Sequence, residues 1–536
     1  MMPPVASVGL FIGYISNMKN VLALVVILAS IAEYPVCGKN GTREVQTPPN
    51  IIFILADDLG WNDISFHGSY QIPTPNIDEL AYSGVILSNY YVSPICTPTR
   101  SSLMTGKYPI HTGMWHGVIL GAQPWGLGLN ETLLPQLLKQ QGYKTHMVGK
   151  WHLGFFDERY TPTQRGFDTH FGYYLGKQDY WTHYDTEDYN GMDFHKNGST
   201  YKPAYGKYST KIYTQEAEDI IATHDKSQPL FLYFAHQAVH SGNDAEHGQQ
   251  APKEYYDRFT NITDDKRRMF AAMVAVMDES VGNVTRALKE AGLYDNSIIF
   301  FSTDNGGPAH GFDFNYANNY PLRGTKLTLW EGGVRGTAFV HSTLLKKPAR
   351  ISHDLLHVCD WVPTIYGLAG GDVSSLKNLD GYDVWPTISN GLTSPRKEIL
   401  LNIDTKYNVS ALRIGDMKII NGDIRKGSWS GWYKPEGLPP HYTPPPPPSG
   451  AFAVHCPPQP SNASTNCNPY QATCLFNISN DPCEFYNIAE WNQDIVSTMT
   501  ARLNEYKNTM VPARNVLIND PKANPDLHGG FWVPWV

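Results

Sequence analysis

The sequence predicts an α/β protein: a large, mostly parallel central sheet with helices on both faces, followed by a smaller C-terminal domain built on an antiparallel sheet. Three observations carry this. Short apolar runs rich in β-branched and aromatic residues alternate with helical stretches, as strands buried on both faces do. Each run ends in polar or ionisable residues. Beyond about Glu398, strand-like pieces follow one another across turns with no helix between them.

The chain has 536 residues, 41% of them hydrophobic, enough for a large core. Its net charge of −8 gives no basic face for nucleic acid. Near the N-terminus Lys19 precedes Val21–Ala32, a run too short to span a bilayer of about 30 Å. Residues 1–32 therefore read as a secretory signal, with no stable membrane span. Export also fits the Asn-x-Ser/Thr sequons at Asn40, Asn130, Asn197, Asn261, Asn283, Asn408, Asn462 and Asn477. A first domain over 48–395 and a smaller one over 396–536 are expected.

In chain order, Ile51–Leu55 is the first buried strand and runs into Asp57 and Asp58. Lys144–Val148 leads to Lys150 and His152. Pro229–Phe234 leads to His236 and His240, and Ser297–Phe301 leads to Asp304 and Asn305. Helices are expected over Leu133–Gln141, Ile212–His224 and Asp265–Ala291. Parallel strands covered by helices place their carboxyl ends on one rim, where open α/β sheets bind ligands.

The antiparallel pieces are Ile399–Ile403, Val409–Arg413 and Met417–Asn421. A proline-rich loop, 438–448, reads as a polyproline II spacer or exposed loop, or as a partner ligand. The cysteine cluster Cys456, Cys467, Cys474 and Cys483 allows three pairings, of which 456–467 and 474–483 are the simplest staples. Cys37 and Cys359 stay unassigned. Asp494–Asn508 is a last helix.

The stretch Ser93-Pro94-Ile95-Cys96-Thr97-Pro98-Thr99-Arg100 places a cysteine at a loop-to-helix junction, because the prolines exclude regular structure ahead of the helix. Unpaired N–H groups and the helix dipole there favour an anion and lower a thiol pKa. Cys96 reads as a nucleophile beside an anion-binding Arg100. Asp57, Asp58, Asp304 and Asn305 are hard oxygen donors suited to Ca²⁺ or Mg²⁺ rather than zinc. Lys150, His152, His240 and Lys326 complete a positive set able to stabilise charge on a bound anion.

These motifs resemble the sulfatase family: Cys-x-Pro-x-Arg from Cys96, then Thr-Gly-Lys-Tyr-Pro, Gly-Lys-Trp-His at 149–152, Ala-Val-His at 238–240 and Leu-Arg-Gly-Thr-Lys at 322–326. Phe167-Asp168, Asn318–Gly324 and the Gly529–Trp535 end are similar to the arylsulfatase B-like (N-acetylgalactosamine-4-sulfatase) branch. The resemblance implies the alkaline-phosphatase-like sulfatase fold, with 48–395 as catalytic domain. It implies that a formylglycine-generating enzyme oxidises Cys96 to formylglycine during secretion. It also implies one calcium ion held by Asp57, Asp58, Asp304, Asn305 and residue 96. The expected reaction is hydrolysis of a sulfate-ester substrate by the aldehyde hydrate. Arg100 would hold sulfate, Asp304 take the attacking proton, Lys326 or His240 protonate the leaving alcohol, and His152 drive sulfate release. A sulfated sugar such as N-acetylgalactosamine 4-sulfate is the expected substrate, with small aryl or plant esters such as glucosinolates as the alternative. The expected location is the secretory pathway, ending outside the cell or in the lysosome. The departures are Ser241–Gln250, which lacks the branch's proline-containing continuation, and the C-terminal proline and cysteine arrangement. The rival classes are a phosphatase or phosphodiesterase on the related fold, against which Cys96 and the oxygen-only metal set argue, a thiol hydrolase, and a catalytically silent secreted binding glycoprotein.

Overall fold

In the computed structural model, residues 48–244, 246–438 and 445–536 are described. The expected leader, Cys37, Asn40 and residues 439–444 of the proline-rich loop lie outside them. Ten strands form the main sheet: β1 (Asn50–Ala56), β2 (Val85–Tyr91), β3 (Lys144–Lys150), β4 (Thr169–Tyr173), β5 (His195–Lys196), β6 (Ser199–Thr200), β7 (Leu230–Ala235), β8 (Ser297–Thr303), β9 (Ala338–His341) and β10 (Arg350–His357). Their order is β10-β2-β9-β8-β1-β7-β3-β4-β5-β6. β8, β1, β7, β3 and β4 are mutually parallel neighbours, so the four strands foreseen to end in polar residues lie side by side with one orientation.

β1 shows why its sequence lacks alternation. Ile51, Phe53 and Leu55 enter one core with Met104, Trp361 and Ile365, while Ile52, Ile54 and Ala56 enter a second with Phe270, Met273 and Met277. Both faces are dry, so every position from Ile51 to Ala56 is apolar; each fully buried large side chain contributes about 1.5–3 kcal/mol. The second core is closed by helix Asp265–Glu290, capped by Asp264, whose carboxylate accepts from the Arg267 N–H at 2.8 Å. The helix expected from Ile212 begins earlier, at Ser209, and runs to Thr223.

The C-terminal strands β11 (Glu398–Asp404), β12 (Val409–Ile414), β13 (Met417–Asn421) and β14 (Cys474–Asn477) form a separate antiparallel sheet in that order. Here too both faces are buried, each against a different partner. Leu400, Leu412, Ile419 and Leu475 pack on helix Gln493–Thr509, and Ile399, Ala411, Ile420 and Phe476 pack on Trp330 and Val334. The second contact seats the loop that carries Lys326.

The cysteine pairing departs from the simplest expectation: Cys456 pairs with Cys483 and Cys467 with Cys474. β14 starts at Cys474 and turns back near Cys483, so nesting one pair inside the other matches the chain reversal, which adjacent staples would not. Cys359 is a buried free thiol. Pro445–Pro448 are exposed, and Phe452 ends the loop by donating its N–H to the Phe66 carbonyl at 2.8 Å.

Candidate active site

Four strand ends and one helix start converge. After β1 the chain delivers Asp57, then Asp58 in a left-handed conformation (φ 62°). Gly149, one residue before the end of β3, has φ 101°, and a Cβ there would fall 1.8 Å from the Ala235 carbonyl oxygen; only glycine lets the chain bring Lys150 alongside β7. Cys96 opens helix Cys96–Thr105, with Ile95 extended ahead of it and Gly106 left-handed behind it. Pro98 falls in the first turn, where a missing N–H costs nothing.

Arg100 reaches back from this helix and donates to Asp304 Oδ2 from Nε (3.2 Å) and a terminal nitrogen (2.8 Å). Lys150 Nζ donates to Asp57 Oδ2 at 2.7 Å, and the Cys96 thiol faces Asp57 Oδ1 at 3.7 Å. Lys326 Nζ lies 2.8 Å from Asp58 Oδ2, 3.0 Å from Asp313 Oδ2 and 3.1 Å from His240 Nε2. Asn305 Nδ2 donates to Asp58 Oδ1 at 2.7 Å. All these groups except Asp313 are buried. Nine of the ten positions singled out from the sequence therefore fall in one cluster, and the tenth, His152, lines the same pocket as Cys96, His240 and Lys326.

Proton positions follow from the hydrogen bonds. A ring nitrogen facing a carbonyl must donate, so His152 carries its proton on Nε2, 2.9 Å from the Ile119 carbonyl. Its buried Nδ1 has no partner and keeps a free lone pair. His240 likewise donates from Nδ1 to the Ser241 carbonyl at 2.8 Å, leaving Nε2 to accept from Lys326. Burial and the adjacent lysines hold both histidines well below the ordinary value, hence neutral. Burial alone would lower the lysines too, but Asp57 keeps Lys150, and Asp58 with Asp313 keeps Lys326, above their ordinary value. Burial likewise opposes Asp304 ionisation, but Arg100 and Lys150 hold its carboxyl below the usual range.

One expectation is corrected. The helix start was expected to lower the Cys96 pKa; burial pushes the thiol up instead, and the neighbouring Asp304 and Asp57 add to the rise. A dipole worth about 1 kcal/mol does not offset full burial among carboxylates.

Above the cluster lies a pocket of about 580 Å³ onto which Cys96, His152, His240 and Lys326 open. Among its other lining residues, Lys177, Glu187, Asp313, Arg425 and Trp429 are not singled out by the sequence. Asp313 sits in an irregular loop at φ 51°, and Arg425 and Trp429 come from beyond β13, so no local spacing marks them.

Residues 49–371 match the family described as Sulfatase. The chain belongs to the sulfatase family. This sulfatase is 44% identical over 529 residues to Arylsulfatase J of Mus musculus, covering 95% of this chain and 83% of that protein. It is 28% identical to N-acetylgalactosamine-6-sulfatase of Homo sapiens over 499 residues, 88% of each. The crystal structure of Ps i-CgsB in complex with k-i-k-neocarrahexaose superposes with a TM-score of 0.71 at 27% identity, over 90% of this chain and 98% of that one. The enzyme is thus a sulfuric ester hydrolase on the alkaline-phosphatase-like fold. No helix among the described residues is long and apolar enough to cross a membrane.

The residues present fit a divalent cation. One ligand atom each from Asp57, Asp58, Cys96 and His240 lie within 4.8 Å of one another. Asn305 Oδ1 is buried and has no hydrogen-bond partner, an orphan acceptor that a hard cation would satisfy. Asp304 Oδ1 meets the Asp58 N–H at 3.3 Å, beside the same group.

Proposed function

We propose that this sulfatase hydrolyses sulfate esters of saccharides, N-acetylgalactosamine 4-sulfate being the reference case, with formylglycine formed from Cys96 and one calcium ion. Residues 48–395 act as the catalytic domain and 396–536 as a smaller domain shaping the pocket. Asp57, Asp58, Asp304, Asn305 and residue 96 would hold the calcium. The ion supplies divalent charge to the sulfate oxygens, and the aldehyde hydrate supplies the nucleophile. The observation that carries the reading is the convergence of Cys96, on a pocket, with an oxygen-donor set and three buried cations. A buried thiol held protonated is a poor nucleophile, which argues against the thiol hydrolase.

The chain's own residues have separable tasks. Arg100 and Lys150 hold sulfate oxygens and the charge that gathers there. Asp304, ionised, accepts the attacking proton. Lys326, protonated and hydrogen-bonded to neutral His240, donates to the departing alcohol, which selects it over the histidine. His152, with Nδ1 free, takes the proton whose loss lets sulfate leave.

The protein would meet the formylglycine-generating enzyme in the secretory pathway and end secreted or lysosomal. Asn130, Asn197, Asn261, Asn408 and Asn462 are exposed, as glycan acceptors must be. The deciding experiment is the mass of the residue-96 peptide from protein made in a secretory host, with turnover of a sulfated saccharide. A mass lowered by thiol-to-aldehyde conversion together with turnover supports the proposal; an unmodified thiol from a host that converts other sulfatases overturns it.

A further inference from the structure

The loop after β13 projects from the small sheet into the catalytic pocket, and its construction is specific. The Asp423 carboxylate is 8% exposed and holds both ends of the loop: it accepts from the Ile424 N–H at 2.8 Å, from the Ser430 hydroxyl and from Trp330 Nε1 at 3.2 Å. Between these anchors Arg425, Lys426 and Gly427 are successively left-handed, at φ 51°, 57° and 76°. Two adjacent non-glycine residues in that region are unfavourable and persist only where the surroundings dictate them.

The result of this geometry is a cation placed over the pocket wall. The Arg425 guanidinium lies 5.4 Å from the Phe312 ring centroid, and Trp429 meets the same ring edge-on at 4.9 Å. Phe312 immediately precedes Asp313, the partner of Lys326. Arg425 therefore stands on the same pocket wall as Asp313, the partner of the proposed proton donor Lys326. It is exposed and has no ion pair among the described residues. The other lining cation outside the sulfate-binding set, Lys177, already acts on the Glu187 carboxyl, so Arg425 is the unbalanced charge.

We infer that Arg425 is a specificity-determining residue: it binds a second anionic group, a carboxylate on the sugar adjoining the sulfated one, while Trp429 packs on that sugar's apolar face. A planar guanidinium steadied over an aromatic ring suits bidentate capture of a carboxylate. This rests on the saccharide reading proposed above.

The test compares a sulfated disaccharide bearing a free uronate with its uronate methyl ester. Purified wild type should prefer the free acid by about tenfold in kcat/KM, the scale of one charge-assisted hydrogen bond, and mainly through KM. R425Q should bring the acid-to-ester ratio to about one, and R425K should keep part of it. An acid-to-ester ratio equal in wild type and R425Q overturns the inference. Calorimetry of the desulfated acid and ester disaccharides on C96A repeats the comparison without turnover. If no sulfate ester is cleaved, the proposed reaction fails, while the calorimetric ratio still decides the role of Arg425.

Discussion

Arg100 donates two hydrogen bonds to a single oxygen of Asp304, and neither side chain has any exposed surface. Its guanidinium also lies 3.6 Å from Asp57. Removing one member of such a pair leaves an uncompensated buried charge, which costs about 3–5 kcal/mol. R100A should therefore lower urea-denaturation stability by that amount and cut turnover by about 10²-fold or more, since the same group is proposed to hold sulfate. R100K keeps a point charge without the fork and should fall between. Wild-type stability in R100A would show that the pair does not hold the site together.

Lys326 has three acceptors within 3.1 Å, and only the leaving group needs its proton. K326A should slow sugar sulfates by roughly 10²–10⁴-fold, the span of general acid catalysis. The loss should shrink steadily as the leaving alcohol becomes more acidic, so 4-nitrophenyl sulfate suffers least. Equal losses across a leaving-group series would assign Lys326 to sulfate binding instead.

The sheet was legible where burial dictates composition. β1, β7 and β8 are dry on both faces, and their ends carry the ionisable residues that a parallel arrangement gathers. β2 and β10 were missed because Ser88, Asn89, His353 and Asp354 interrupt them, and their pairing carries a register shift between Ser352 and Leu355. Cys96, Arg100 and Lys326 could be found because each sits in a local motif. Asp313 could not, because it sits in an irregular loop after β8, nor could Arg425 and Trp429, which only the tertiary packing of the small sheet against Trp330 brings to the pocket. The raised thiol pKa is not legible for a related reason: helix position is local, whereas burial among carboxylates is not.

His67 stacks on Trp61 with ring centroids 3.7 Å apart, and burial pushes its pKa down to about 3. It is neutral when folded and titrates near 6.5 when unfolded, so between those values the unfolded state binds more protons. Its contribution is complete above about pH 6.5 and is lost as pH falls towards 3. At pH 5 the loss is about 2 kcal/mol. H67F keeps an apolar ring against Trp61 and Phe452, and its stability should drop by about that much less between pH 7 and pH 5. Parallel stability-versus-pH curves for wild type and variant would refute the assignment.

Lys418 joins the small sheet to the loop behind the site: its Nζ lies 2.8 Å from Glu331 and 2.9 Å from Glu484, all three side chains fully buried. Glu484 also receives the Glu331 N–H at 2.8 Å, and burial pushes its pKa up to about 7. K418M removes the cation that lets both carboxylates ionise, so at pH 8 it should cost about 3–5 kcal/mol. Protonation relieves the repulsion, so the cost should be smaller at pH 5. Adding E331Q and E484Q replaces charge by amide and should recover part of the stability at pH 8. Because Glu331 follows Lys326 on one seated loop, K418M should also lower kcat at pH 8 more than at pH 5, relative to wild type at each pH. A K418M variant equally destabilised at both pH values would mean that lost packing, rather than stranded carboxylates, is what the lysine prevents.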